Sequence, residues 1–389
     1  AAIMDQIEGI ISDPEVEGTG IKAALTTLSQ ALADFSQSPY QETNANIVMN
    51  AFKGVTQVLN EYDANLKTLM EQTKNDLSVA VEDINTKLDQ LSELNSSIAH
   101  EIFSNNDYDG VNYGPNDLLD QRNVILDDLS RYGDVQVTDL EDGKIQVKIN
   151  GKVVDASGAS YTNDKLNIGS DGVTLTWNSN NQNANLGAGA IRGFTDMLTG
   201  ADPINAGIPY YQNKMDNFAQ TLADVFNNKI HADDPDFPDK YKFLLQGGVD
   251  GKVTAGNISI SDQWADDVSY IIRKQNPDGE LDNQDILDMK AAFEQDFNFG
   301  GEYTGTFSEF ITSVTNTLGS GIKTNSARMS ASLAIAESAD SERMGVSGVS
   351  LNEEGISMMT YNKAYQALGR LMTTMDEQLD MIINKMGIV

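Results

Sequence analysis

Residues 48–102 read VMNAFKGVTQVLNEYDANLKTLMEQTKNDLSVAVEDINTKLDQLSELNSSIAHEI, and the spacing of their apolar side chains decides the fold. Val48, Phe52, Val55, Leu59, Tyr62, Leu66 and Leu69 follow one another at steps of four and three, and the series resumes past Leu77 through Ile84, Leu88, Leu91, Ile98 and Ile102. Such steps put side chains on one stripe of an α-helix. The stretch predicts one very long helix, or two stacked end to end. At a rise of 1.5 Å per residue, about 55 to 60 helical residues span roughly 85 Å. That exceeds a small globular domain, so the element is expected to be a rod with bundled partners.

Candidate partners lie on both sides. Ile21, Leu25, Leu28, Leu32 and Phe35 form an upstream stripe, which Ser38-Pro39 stops. Tyr211, Met215, Phe218, Leu222, Val225 and Phe226 restore helical spacing downstream, ending near Asp233-Asp234-Pro235. The cleanest series comes last: Met358, Tyr361, Tyr365, Leu368, Met372, Met375, Leu379, Ile382 and Met386 alternate steps of three and four as a heptad seam. Met359, Ala364, Leu371 and Ile383 widen this face beyond the needs of a two-stranded coiled coil. It reads as a proposed assembly surface; a core helix of its own domain would give the same letters.

Between these helical segments the period changes. After a short helix from Asn116 to Ser130, Val135 and Val137 face Ile145, Val147 and Ile149 across the turn Glu141-Asp142-Gly143-Lys144, and Asn150-Gly151 turns the chain towards Val153. Leu166, Ile168, Val173, Leu175 and Trp177 alternate around Ser170-Asp171-Gly172. The expected fold is therefore α+β: an elongated, discontinuous helical rod carrying two small inserted domains, the first mainly antiparallel β. The expected layout is a helical rod over 1–133, a β insertion over 134–205, a returning helix over 206–231, a second insertion rich in Gly and Asp over 232–305, and a C-terminal rod segment with its terminal helix over 306–389.

Composition narrows the function. With 389 residues and 40% hydrophobic content the chain can bury a core in two or three domains. Lys and Arg number 26 against 58 Asp and Glu, a formal net charge of −32 that repels phosphate backbones and anionic lipid heads. No nucleic acid or membrane partner is expected. The absence of cysteine removes disulfides, thiolate chemistry and cysteine-bearing metal sites. Ala1-Ala2-Ile3-Met4-Asp5 carries no initiator Met and no secretory leader pattern, so part of the natural N-terminus is expected to be missing.

Chemical motifs are sparse. Neither His100 nor His231 sits in a catalytic pattern, and His100-Glu101 lacks the second His of a zincin helix. Asn105, Asp107, Asp109 and Gly110 resemble the first half of a calcium loop, but the twelfth position is Asn116 instead of a bidentate Glu, and an Asp/Asn-rich turn accounts for the same residues. Around Asn276-Pro277-Asp278-Gly279-Glu280, Lys274 stands where the first ligand should be, which favours a β-turn. Gly187, Gly189 and Gly193 miss dinucleotide-fingerprint spacing by one residue and read as a flexible connection. No catalytic residue, cofactor or metal is assigned.

The run Pro115-Asn116-Asp117-Leu118-Leu119-Asp120-Gln121-Arg122, followed by Leu126, Leu129, Ser130 and a hairpin, closely resembles the flagellar hook-associated protein 1 family. So do Leu32-Ala33-Asp34-Phe35-Ser36-Gln37-Ser38-Pro39 and the stretch from Asp83-Ile84-Asn85 to Leu94-Asn95. Val346-Ser347-Gly348-Val349-Ser350-Leu351-Asn352-Glu353-Glu354, Tyr361-Asn362-Lys363-Ala364-Tyr365-Gln366-Ala367 and the closing Ile383-Asn384-Lys385-Met386-Gly387 resemble the C-terminal signature of flagellar rod, hook and hook-associated proteins. The similarity covers roughly 18–132 and 305–389 well and the middle weakly. It implies a non-enzymatic adaptor between hook and filament, secreted through the flagellar export apparatus. The implied partners are hook protein, the second hook-filament junction protein, other copies of the chain and a cytoplasmic export chaperone. Family members begin with a helix and an Asn-rich signature not found here, so the C-terminal helix lacks that partner; its stripe is expected to be poorly ordered or covered by another copy. Another axial protein of hook type, a secreted acidic enzyme and a calcium-dependent adhesin are the alternatives.

Overall fold

The computed structural model describes residues 2–11, 19–105, 115–140, 143–155, 164–184, 186–230, 243–248, 251–272, 283–348 and 350–385. The chain divides into two compact units, Ala1–Lys323 and Thr324–Val389. The first is organised on α3 (Glu42–Asn105), an unbroken helix of 64 residues. At 1.5 Å per residue it runs about 96 Å. No proline falls within it and Gly54 is its sole glycine, so nothing in the chain forces a break. Of the two arrangements the spacing allowed, the single helix is the one formed.

Two hydrophobic cores lie along α3. Ala45 to Leu69 of its first half meet α1 (Ala2–Ile11) through Met4, Ile7 and Ile11, and α2 (Gly20–Gln37) through Ile21, Leu25, Leu28, Leu32 and Phe35. Tyr211, Met215, Phe218, Leu222 and Phe226 join from α6 (Ile208–Asn227), and Phe307, Phe310, Ile311, Val314 and Leu318 from the start of α9 (Phe307–Ser347). Phe52 of α3 stands edge-on to Phe226 at 5.0 Å and to Trp264 at 5.3 Å between ring centroids. Full burial of each such side chain stabilises the fold by about 1.5–3 kcal/mol.

The second core surrounds Leu77, Ala80, Val81, Ile84, Leu88 and Leu91, further along the same helix. Here α4 (Asn116–Ser130) brings Leu129, and α5 (Gly189–Thr199) brings Ile191 and Leu198. The strands at this core form two sheets. In the first, β1 (Val135–Asp139), β2 (Ile145–Ile149) and β3 (Lys152–Asp155) pair antiparallel in that order; in the second, β4 (Leu166–Ile168) pairs with β5 (Leu175–Trp177). Val135 opposes Ile149 and Val137 opposes Val147, as the alternation predicts. Burial alternates along β2, with Ile145, Val147 and Ile149 buried and Gln146 and Lys148 half-buried, and it stops at the sheet edge, where Val137, on the same face as its partner Val147, is exposed.

The expected boundaries mark changes of period, but the second core runs across the one at 134 and the first core across those at 232 and 306. The strands have no core of their own; they are laid on α3. Likewise Trp264, Ile271, Ile286, Met289 and Phe299, from the segment expected as a second insertion, belong to the first core. Short elements carry them: β6 (Leu245–Gln246), β7 (Ser259–Ile260), α7 (Asp262–Asp266), α8 (Gln284–Ala291), β8 (Phe297–Phe299) and β9 (Tyr303–Gly305). An insertion in sequence is thus integral in space.

Polar side chains fasten these layers. Asn85 on α3 accepts from the Leu166 N–H and donates to the Leu166 carbonyl, both at 2.9 Å, and so acts as a strand partner for β4. Asn227 on α6 accepts from the N–H groups of Leu244 and Leu245 and donates to the Leu245 carbonyl. The Tyr132 hydroxyl donates to Asp83 at 2.7 Å, and the phenol pKa is raised by that bond first and by burial second. Arg122, buried on α4, donates to the Gly143 carbonyl at 2.7 Å and to Asn95 at 3.3 Å, while Asn95 donates to the Ile145 carbonyl at 3.5 Å. Desolvation lowers the guanidinium pKa, and the charge of Asp139 offsets part of this. This explains why the arginine closing the 115–122 run is followed by a hairpin: it anchors the hairpin turn to two helices.

Gly189 is not the flexible joint its neighbourhood suggests. Its φ is +78°, and a Cβ there would overlap the backbone of Tyr132 and Gly133, while the next residue, Ala190, donates its N–H to the Arg131 carbonyl at 2.9 Å. Glycine lets the start of α5 lie directly on the end of α4. Gly189→Ala should therefore destabilise the first unit by more than about 1 kcal/mol, through backbone strain and overlap. Arg122→Ala should cost about 1–3 kcal/mol by removing the buried side chain that donates to the half-buried Gly143 carbonyl and to Asn95. Urea denaturation of each variant measures both; wild-type midpoints would remove these two anchors from the account.

Candidate assembly surface

Helix α9 begins as a core element and ends as a surface one. Thr306 caps it reciprocally: its hydroxyl oxygen accepts from the Glu309 N–H at 3.2 Å, and the Glu309 carboxylate accepts from the Thr306 N–H at 3.0 Å. The face carrying Phe307, Phe310, Ile311, Val314 and Leu318 is buried, but past Ile322 none of the described residues is. The Gly348 N–H donates to the Met344 carbonyl at 2.8 Å, just past the end of α9. Helix α10 (Leu351–Asp380) then starts at Ser350, whose hydroxyl oxygen accepts from the Glu353 N–H at 3.4 Å. Good helix formers follow, with no proline in the helix.

Every described member of the proposed seam is exposed. On α10, Met358, Tyr361, Tyr365, Leu368, Met372, Met375 and Leu379 are between 50% and 78% exposed. Ile382 is exposed as well, in a π-helical turn at Met381–Lys385, and Met386 lies outside the described residues. Met359, Leu371 and Ile383 widen the same apolar surface. Of the two expected states, disorder is not the one found: α10 is a regular helix, and its apolar face is not buried by the rest of the described chain. Its N-cap and its helix-forming residues favour this conformation locally.

Two further features separate Thr324–Val389 from the first unit. Most of the exposed large apolar side chains lie here, from Met329 to Ile383. It also holds only three more carboxylates than basic groups, so nearly all of the −32 charge sits on Ala1–Lys323. Near-neutral, apolar helices associate with little desolvation or self-repulsion. Met329, Leu333, Ile335 and Met344 on α9 escaped the sequence reading. The step from Met329 to Leu333 is helical, but the Ala- and Ser-rich surroundings dilute its period.

Among the described residues no group of three or more His, Asp or Glu side chains could hold a metal, and no helix is long and apolar enough to cross a membrane. His231, the 276–280 turn and most of the calcium-like stretch from 105 to 116 lie outside the described residues.

The family model for the flagellar hook-associated protein FlgK helical domain matches residues 4–239, and that for the C-terminal segment of flagellar basal body rod FlgEFG proteins matches 341–385. The chain is 25% identical over 425 residues to flagellar hook-associated protein 1 of Bacillus subtilis (strain 168), covering 100% of this chain and 80% of that protein. It is also similar to the solved structure of the flagellar hook junction protein FlgK from Burkholderia pseudomallei, at 20% identity and a TM-score of 0.46, covering 59% of this chain and 40% of that one. The chain belongs to the flagellar hook-associated protein FlgK family, the structural proteins of the flagellar hook-filament junction, and is a component of the flagellar axis and not an enzyme.

Proposed function

We propose that this chain joins the flagellar hook to the filament by helical subunit packing, and that the apolar stripe of α10 and the residues after it, from Met358 to Met386, makes the contact. The observation that carries this reading is the coincidence of exposed apolar side chains and near-neutral charge in Thr324–Val389. Burying that face against neighbours returns about 25 cal/mol for each Å² of apolar surface removed from water. The acidic first unit is the part better suited to remain in water. On this reading the partners are copies of the chain, hook protein and the second junction protein. An export chaperone covers the same face in the cytoplasm before secretion, because an uncovered stripe of this size invites aggregation. The fivefold layout by sequence period remains our proposal for how segments are deployed in the assembled axis.

A double substitution tests the contact. Leu368→Asp with Leu379→Asp places two charges on the seam, and a desolvated charge without a partner costs several kcal/mol. Since 1.4 kcal/mol corresponds to tenfold, incorporation into flagella should fall by more than about tenfold, while the first unit keeps its wild-type unfolding transition. Quantitative blotting of purified flagella reads the outcome. Undiminished incorporation would remove α10 as the contact.

A further inference from the structure

Two carboxylates from different helices converge on one stretch of backbone. Between β6 and β7 the residues Val253 to Ile258 bridge α6 and α3, with Val253, Ala255 and Ile258 buried in the first core. The Val253 N–H donates to Gln220 of α6 at 3.2 Å, and the Ala255 N–H to the Asp216 carboxylate of α6 at 2.8 Å. Asn60 of α3 donates to the Ala255 and Ile258 carbonyls at 2.7 and 3.3 Å. Asp63, one turn along α3, reaches the same spot: a Cβ on Gly256 would overlap its carboxylate, so glycine lets the chain pass. The Asp63 side chain is 12% exposed and pairs with Lys67 at 2.6 Å.

Asp216 gains from the Ala255 N–H and loses elsewhere. Its packing takes the carboxyl out of water, and Asp63 sets a second negative charge near it, while Lys252 of the segment and Lys67 of α3 offset part of this. Burial first, and Asp63 among the charges, hold the Asp216 carboxyl above the ordinary carboxylate range. A group whose pKa is raised on folding adds stability below its unfolded pKa, and that contribution is lost as the pH rises through the folded value. The protonated carboxyl still has a carbonyl oxygen for the Ala255 N–H, so the hydrogen bond survives while the repulsion is removed.

We propose that Asp216, set against Asp63, forms a pH-responsive clasp that grips residues 253–258 more firmly once Asp216 carries a proton. The grip sets how tightly this buried stretch closes the first core between α3 and α6. All of its groups lie within the first unit, so it stands or falls separately from the proposed function.

Hydrogen exchange of the intact chain, read by mass spectrometry and corrected for the intrinsic pH dependence of exchange, tests the clasp against Asp216→Asn. That variant keeps the acceptor oxygen and cannot ionise. From about pH 8 to about pH 5 the wild-type stretch 253–258 should gain at least about twofold in protection relative to α2. In the variant the gain should vanish, because the stretch is already as protected at the higher pH as the wild type is at the lower. Equal pH trends in the two chains would overturn the clasp. So would a variant less protected than the wild type at about pH 8, which would show the ionised carboxylate holding the stretch through Lys252 or Lys67. If the variant does not fold, the wild type decides: protection that stays level or falls on acidification, relative to α2, overturns the proposal.

Discussion

The first unit depends on one constraint: a single helix of 64 residues supplies a wall to both hydrophobic cores. Its first half is covered by helices and its second half by strands and short helices, and Met70 packs against both cores. Neither set of covering elements closes a core without α3. The helix in turn carries a long apolar stripe that these elements cover, and a helix draws most of its stability from such packing. Covering elements and helix are therefore mutually dependent, and a β insertion can occupy the middle of the chain without forming a domain of its own.

The residues that carry the sequence resemblance have physical work in that arrangement. Asp83 and Asn85 receive Tyr132 and β4, Asn95 and Arg122 hold the first hairpin turn, and Phe35 fills the first core. These groups fasten the layers laid on α3. The resemblance thus marks a way of docking a sheet onto a helix, while the exposed helices after Lys323 carry the second signature, that of the axial C-terminal segment.

Much of the fold was legible in the sequence because its helices repeat one pattern for many turns. The steps of three and four from Val48 to Ile98 predict the buried face of α3, and those from Ile21 to Phe35 predict that of α2. Strand pairing was legible where turns and alternation agreed, as at Val135 with Ile149. Tertiary sharing was not: nothing local distinguishes Trp264 or Phe299 in a small insertion from the same residues in a core shared with α3. Gly189 misled for a similar reason, since a glycine required by close approach and one that merely loosens a linker read alike. The seam of α10 was visible as a pattern, but whether its face is buried within the chain or presented outward depends on elements that no local spacing encodes.

If the chain occupies the junction between hook and filament, a gold-conjugated antibody against it marks that junction in electron micrographs of isolated flagella. A narrow band of gold where the hook ends and the filament begins is the predicted result; label spread along the hook or the filament, or none on flagella from cells that express the chain, would contradict it.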